Sequence, residues 1–223
     1  MLRTKHRNLV QLKEVLLWEN AEARRQRTHF GLSLVMTLVC PPPWWECQAP
    51  SLTDHIVPGN HPFPPVVAAL ICKQIADGLQ YLNQKLLTVH RDLKADNVLV
   101  GRGGLHNIKL CDYGTCIMLD RQPDGSLAKD LPAYVGTTTY RAPELWDAVL
   151  QRGHRATVET TPKVDVWSLG CVLYFILAQM PLYREDQIEK RDGVPVVYYD
   201  RIRAGEVDLS SSLWDEVDPT SDT

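Results

Sequence analysis

Apolar residues follow two different periods along this chain, and the change falls near residue 65. Before it, residues 9–15 and 31–39 alternate or run apolar, the pattern of strands. The charged stretch 19–27 between them predicts a hairpin loop. Residues 40–65 are dense in proline, which fixes φ and removes backbone donors, so this tract predicts a long surface connection. From Pro65 the period becomes helical. Val67, Ile71, Ile75, Leu79 and Leu82 fall on one stripe, while Lys73, Gln74, Asp77, Gln80 and Asn83 lie largely off it. Residues 97–100 and 108–111 predict two short strands joined through Gly101, Gly103 and Gly104. Residues 112–144 read mostly as loop, and 149–161 as a solvated loop. Residues 165–180 are apolar on nearly all sides, which predicts a central buried helix. Strands first and helices afterwards imply a small β-rich part, a larger α-rich part and a cleft between them.

Composition narrows the class. The 223 residues are 44% hydrophobic, enough for one sizeable domain with a real core. A net charge of −3 gives no basic surface, so neither nucleic acid nor a membrane is expected as a partner. The apolar run 166–180 is interrupted by Ser168 and Gly170 and is short for a bilayer. Cys40, Cys47, Cys72, Cys111, Cys116 and Cys171 show no disulfide or zinc spacing, and charged residues follow Met1 closely. A reducing, cytoplasmic setting is expected. Trp44 and Trp45 in the proline-rich tract are a candidate docking point for a partner, with covering of a neighbouring apolar face as the plainer reading.

The chemistry is concentrated in residues 89–99. There a carboxylate (Asp92), an ammonium (Lys94) and a carboxamide (Asn97) precede an apolar strand. Phosphoryl transfer needs one group to orient a hydroxyl, one to hold the phosphate and one to hold a metal ion. The run from His90 to Asn97 resembles the H-R-D-L-x-x-x-N catalytic loop of protein kinases. Asp112, Tyr113 and Gly114 resemble that family's D-F-G, with tyrosine in place of phenylalanine. Residues 136–144, including Thr137, Tyr140, Ala142, Pro143 and Glu144, resemble its G-T-x-x-Y-x-A-P-E segment. Asp165, Trp167, Ser168 and Gly170 resemble the D-x-W-S-x-G start of its central helix. The chain is therefore similar to eukaryotic-type serine/threonine protein kinases, with Lys94 and Thr137 favouring serine/threonine over tyrosine.

The resemblance implies an α+β, bilobal kinase-like fold, truncated at both ends. Residues 1–39 would be a remnant of the N-lobe and hinge, 40–65 a proline-rich connection and 66–223 an incomplete, mainly helical C-lobe. It implies ATP and Mg²⁺ as cofactors and proteins with Ser or Thr acceptor sites as substrates. Asp92 would orient the acceptor hydroxyl, Lys94 would neutralise charge on the transferred phosphate, and Thr137 would bond both. Asn97 and Asp112 would hold magnesium. Met36 would be the gatekeeper, the backbone of Thr37 and Val39 would bond adenine, and Leu99 would form the pocket floor. Asp165 would brace the catalytic loop, and His90, Tyr113 and Leu12 would share an apolar column linking the lobes. Cys111 would face the pocket as an inert thiol. Residues 198–217 would surround the helix after the central one.

Regulation follows from the same resemblance. Arg91 usually meets a phosphorylated residue, but the acceptor position falls near Ala133. The Asp130 carboxylate is expected to substitute for the phosphate, with Ser126 as a displaced phosphosite in the alternative. No G-x-G-x-x-G loop and no V-A-I-K lysine occur in these residues. The stretch alone is accordingly expected to be inactive. A non-catalytic kinase-like binding module or decoy is the alternative, and a small-molecule phosphotransferase is the third reading.

Overall fold

The structure, a computed structural model, describes residues 5–19, 30–36, 51–56, 63–183, 190–191, 194–195, 197–205 and 207. Strands β1 (Leu12–Glu19) and β2 (Phe30–Met36) form an antiparallel pair, with an irregularity between Leu12 and Glu14. Their alternating apolar pattern is what predicts this pairing.

Helix α1 (Pro65–Leu86) begins at a proline, whose fixed φ suits the first helical position and whose missing N–H is not needed there. It ends where Leu87 turns left-handed at φ +50°. Its buried face includes Ala68, Ile71, Ile75, Leu79 and Leu82. Gln74 departs from the predicted stripe by being buried too. Its amide nitrogen donates to the Leu105 carbonyl at 2.7 Å, and its oxygen accepts from Asn8 Nδ2 at 3.3 Å and the Ile108 N–H at 3.2 Å. An apolar side chain there would orphan those groups, so burial selects an amide.

Beyond α1 the chain turns through β3 (Thr88–Val89), then β4 (Val98–Val100) paired antiparallel with β5 (Ile108–Leu110). Ser51 bridges Leu99, and the Leu52 N–H donates to the Val98 carbonyl at 2.7 Å. On the other side, the segment before β1 joins β5: Leu9 bridges Leu110, and Val10 N donates to Leu110 O at 2.8 Å. Leu9, Leu52, Ile71, Ile75, Leu110 and Val172 share one buried cluster.

Residues 112–144 are more regular than the sequence predicts. They contain β6 (Ile117–Met118) paired with β3, β7 (Asp120–Arg121) and β8 (Leu127–Pro132). Helix α2 (Pro143–Arg152) follows. The expected solvated loop 149–161 instead holds the end of α2 and β9 (Thr157–Thr160), which pairs antiparallel with β8 in a sheet ordered β7-β8-β9. Both strands carry polar residues, and Leu131 opposite Val158 gives the pairing its apolar anchor. Such pairing depends on a partner remote in sequence, which local periodicity does not reveal.

Helix α3 (Lys163–Ala178) is the predicted central helix, and it buries Val164, Ser168, Cys171, Val172 and Ile176. It is not covered on every side among the described residues: Val166 is 63% and Leu173 37% exposed. A groove of about 790 Å³ runs along this face, between Trp167, Leu177, Tyr183 and Val207. A two-stranded ribbon of β10 (Lys190–Arg191) and β11 (Val194–Pro195), then α4 (Val197–Ala204), complete the described elements. No described helix is long and apolar enough to cross a membrane. Cys72, Cys111, Cys116 and Cys171 are free thiols. Cys40, Cys47, Trp44 and Trp45 lie outside the described residues.

Candidate active site

Asp92, Lys94 and Thr137 meet although 45 positions separate Asp92 from Thr137. Thr137 donates to Asp92 Oδ1 twice, from its backbone N–H at 2.8 Å and its hydroxyl at 2.7 Å. Lys94 Nζ donates to the same Thr137 oxygen at 3.0 Å and lies 3.8 Å from Asp92 Oδ2. A short relay therefore runs from ammonium to hydroxyl to carboxylate. It consumes Oδ1 and leaves Oδ2 of Asp92, which meets only the distant Lys94 ammonium and a long 3.4 Å contact from Asn97 Nδ2, as the oxygen for an incoming hydroxyl. Asn97 Nδ2 also donates to the Asp92 carbonyl at 2.8 Å. With its nitrogen so committed, the carboxamide presents its oxygen as the atom left for a cation.

Asp112 lies two residues beyond the end of β5. It is exposed, and its φ of +58° lies in the left-handed region that non-glycine residues rarely adopt. Gly114 N–H donates to its Oδ1 at 3.2 Å. The Cys111 N–H donates to the Asn97 carbonyl at 3.0 Å, which ties the two candidate metal ligands together. Asn97 and Asp112 offer hard oxygen donors, the type suited to magnesium. No cluster of three or more His, Cys, Asp or Glu occurs among the described residues, so any ion here would need further oxygens from its ligand or water.

The loop that carries Asp92 is braced from below by the N-terminal turn of α3. Asp165, 1% exposed, accepts the His90 N–H at 2.8 Å on one oxygen and the Arg91 N–H at 2.9 Å on the other. Burial pushes its carboxyl up, and the surrounding His90 and Arg91 oppose that. The Asp92 N–H donates to His90 Nδ1 at 3.3 Å. His90 Nε2 therefore carries the ring proton and donates to the Cys111 carbonyl at 3.0 Å. The rings of His90 and Tyr113 lie 6.0 Å apart, as the predicted column requires; the Leu12 side chain lies outside the described residues.

Arg91 corrects one expectation. Asp130 does not pair with it: Asp130 is exposed on β8 opposite Glu159, and Arg91 donates from one guanidinium nitrogen to the Pro132 carbonyl at 3.2 Å. The strand pairing of β8 with β9 delivers that carbonyl, and Ala133 beside it is fully buried. Ser126 donates its hydroxyl to Asp124 at 2.6 Å in an exposed turn.

Leu99, the expected pocket floor, is half-buried in β4. Met36 ends β2, but its side chain, like Thr37 and Val39 entirely, lies outside the described residues. Two supporting contacts escape the sequence reading, although Ser168 itself stands in the D-x-W-S-x-G stretch. Ser168 donates from its hydroxyl to the Tyr140 carbonyl at 2.9 Å. Arg141 lies between the rings of Tyr134 and Trp146, at 4.6 and 4.5 Å, while donating to the Val135 and Gly136 carbonyls at 3.2 Å. A charged residue amid the apolar positions around Tyr140 and Ala142 was the available signal for the second.

Cys111 donates to the Asn97 carbonyl at 3.4 Å, and burial with the nearby Asp112 pushes its thiol up to about 11. At neutral pH it is a thiol, not the nucleophilic thiolate. Iodoacetamide labelling of native protein should be slow at pH 7 and should still rise about tenfold per pH unit up to pH 9. An ordinary thiol would instead begin to level off, and peptide mass spectrometry separates the two curves.

The family model described as protein kinase domain matches residues 1–221. The chain is 28% identical over 217 residues to "Probable serine/threonine-protein kinase fhkC" of Dictyostelium discoideum, covering 97% of this chain and 30% of that protein. It is 31% identical over 182 residues to human cyclin-dependent kinase 10, covering 82% of this chain and 41% of that protein. It is 36% identical over 130 residues to an Aurora kinase of Candida glabrata, covering 58% of this chain and 31% of that protein. The chain thus spans less than half the length of these relatives. With nearly its whole length matched by the family model, and the relay between Asp92, Lys94 and Thr137 assembled as described, this chain belongs to the protein kinase family.

Proposed function

We propose that this chain carries the catalytic centre of a serine/threonine protein kinase. The observation that supports this most is Thr137 bonded at once to Asp92 and Lys94, because a hydroxyl and a cation are thereby fixed beside the less engaged carboxylate oxygen, Asp92 Oδ2. Asp92 Oδ2 orients the substrate hydroxyl and takes its proton as the substrate oxygen bonds the γ-phosphorus of ATP and the bond from that phosphorus to the departing ADP breaks. Lys94 balances charge on the transferred group. Asn97 and Asp112 would hold Mg²⁺, which, when bound with ATP, neutralises the phosphate oxygens. Leu99, Met36 and the backbone of Thr37 and Val39 would hold the adenine. Proteins with accessible Ser or Thr are the substrates. The 223 residues contain neither the glycine-rich loop nor its companion lysine, so this stretch by itself is proposed to be inactive.

The test is phosphotransfer by the intact protein, with Mg-ATP and peptides bearing Ser, Thr or Tyr. Phosphate is expected on Ser and Thr only. Thr137→Val removes the bridging hydroxyl and should lower kcat roughly ten- to a hundredfold, with the KM for ATP little changed. Transfer to Tyr, or a Thr137→Val variant as fast as the parent, would contradict the reading. A folded intact protein with no transfer at all would instead favour a binding module.

A further inference from the structure

We propose that the Tyr113 hydroxyl is a latch that holds Asp112 in its left-handed, metal-facing conformation, so that Tyr113 is a positioning residue and not only a member of the apolar column. The inference rests on the reading of Asp112 as a magnesium ligand. Its observations are independent of that reading. The Tyr113 hydroxyl lies 2.9 Å from the Val10 carbonyl and 2.9 Å from the Leu110 carbonyl. Both neighbours are acceptors only, so the hydroxyl must be the donor, sharing or alternating its single proton between them. A phenylalanine ring could fill the same space but could not make this contact.

The two carbonyls are themselves fixed. Leu110 O also accepts the Val10 N–H at 2.8 Å, and Leu110 N donates to Asn8 O at 2.8 Å. Leu9 and Leu110 are both fully buried. The hydroxyl is thus anchored to a rigid corner where the segment before β1 meets β5. Between that corner and the ring stand only Cys111 and Asp112. Rotation of Asp112 out of φ +58° would swing Tyr113 and break the contact, so the latch biases the one backbone conformation that is otherwise unfavourable.

Tyr113→Phe in the intact protein tests this with two readouts. First, hydrogen exchange without nucleotide should quicken roughly five- to tenfold at the Gly114, Cys116 and Val10 amides, with α1 and α3 unchanged. Second, Mg²⁺-dependent binding of a fluorescent ADP should need roughly five- to tenfold more Mg²⁺, while metal-free ADP binds as before. Unchanged exchange at those amides, or faster exchange throughout α1 and α3, overturns the latch. If the parent protein shows no Mg²⁺ dependence at all, the assignment of Asp112 as a metal ligand fails, and the exchange measurement still decides whether the latch exists.

Discussion

In the intact protein, Gly136→Ala should extinguish phosphotransfer as completely as Asp92→Ala, by at least about 10³-fold, while leaving α1 and α3 folded. Gly136 has φ +72°, and a Cβ there would overlap the Arg91 carbonyl oxygen, with Asp92 Oδ1 in van der Waals contact beside it. Neither group leaves room for the carbonyl to give way. The Arg91 carbonyl belongs to backbone whose N–H is held by Asp165, and Asp92 Oδ1 already accepts two bonds from Thr137. The segment carrying Thr137 must therefore retreat, and the relay from Lys94 to Asp92 separates. Circular dichroism should remain near that of the parent while turnover disappears. A Gly136→Ala variant retaining more than about a tenth of the activity would show that the close approach is not needed in the working state.

Asp165→Ala should be the most damaging single change to stability in the catalytic region. It leaves the buried N–H groups of His90 and Arg91 without acceptors, at roughly 1–3 kcal/mol each, for a loss of about 2–6 kcal/mol. Such a loss is a large share of a typical domain's stability. Asp165→Asn keeps one acceptor oxygen and should lose about half as much. Urea unfolding monitored by tryptophan fluorescence measures both. An alanine variant within about 1 kcal/mol of the parent would mean that water replaces the carboxylate, and the bracing role would fall.

The catalytic loop is legible in the sequence because its chemistry demands particular side chains at short, fixed spacing. Asp92, Lys94 and Asn97 could be located without any knowledge of the fold. The contact from Asp92 to Thr137 is legible only through the family resemblance, since nothing local to either residue points across 45 positions. The same holds for Asp165 beneath His90. Helices α1 and α3 could be read because a 3.6-residue period, or an apolar run, survives at the level of single residues. Strands β8 and β9 could not. Lys129, Asp130, Glu159 and Thr157 look like solvated loop until each strand is given the other. That missed sheet also defeated the expectation for Asp130, because it carries Asp130 to the surface and brings the Pro132 carbonyl to Arg91 instead. Gln74 misled for a related reason: a polar residue that lies off the apparent stripe is buried where other backbone groups need an amide.

The stitching of residues 8–10 to β5 and α1 has a practical consequence for dissecting the chain. Asn8 donates from its side chain to the Ile108 carbonyl at 3.0 Å and to Gln74, and Leu9 sits in the cluster with Ile71 and Leu110. These three residues precede β1, yet they pack as part of the helical mass. A chimera that imports the β1–β2 hairpin from a relative should therefore be spliced at Gln11. Cutting a few positions earlier would pull a plug from the larger core and confuse grafting damage with loss of the hairpin itself.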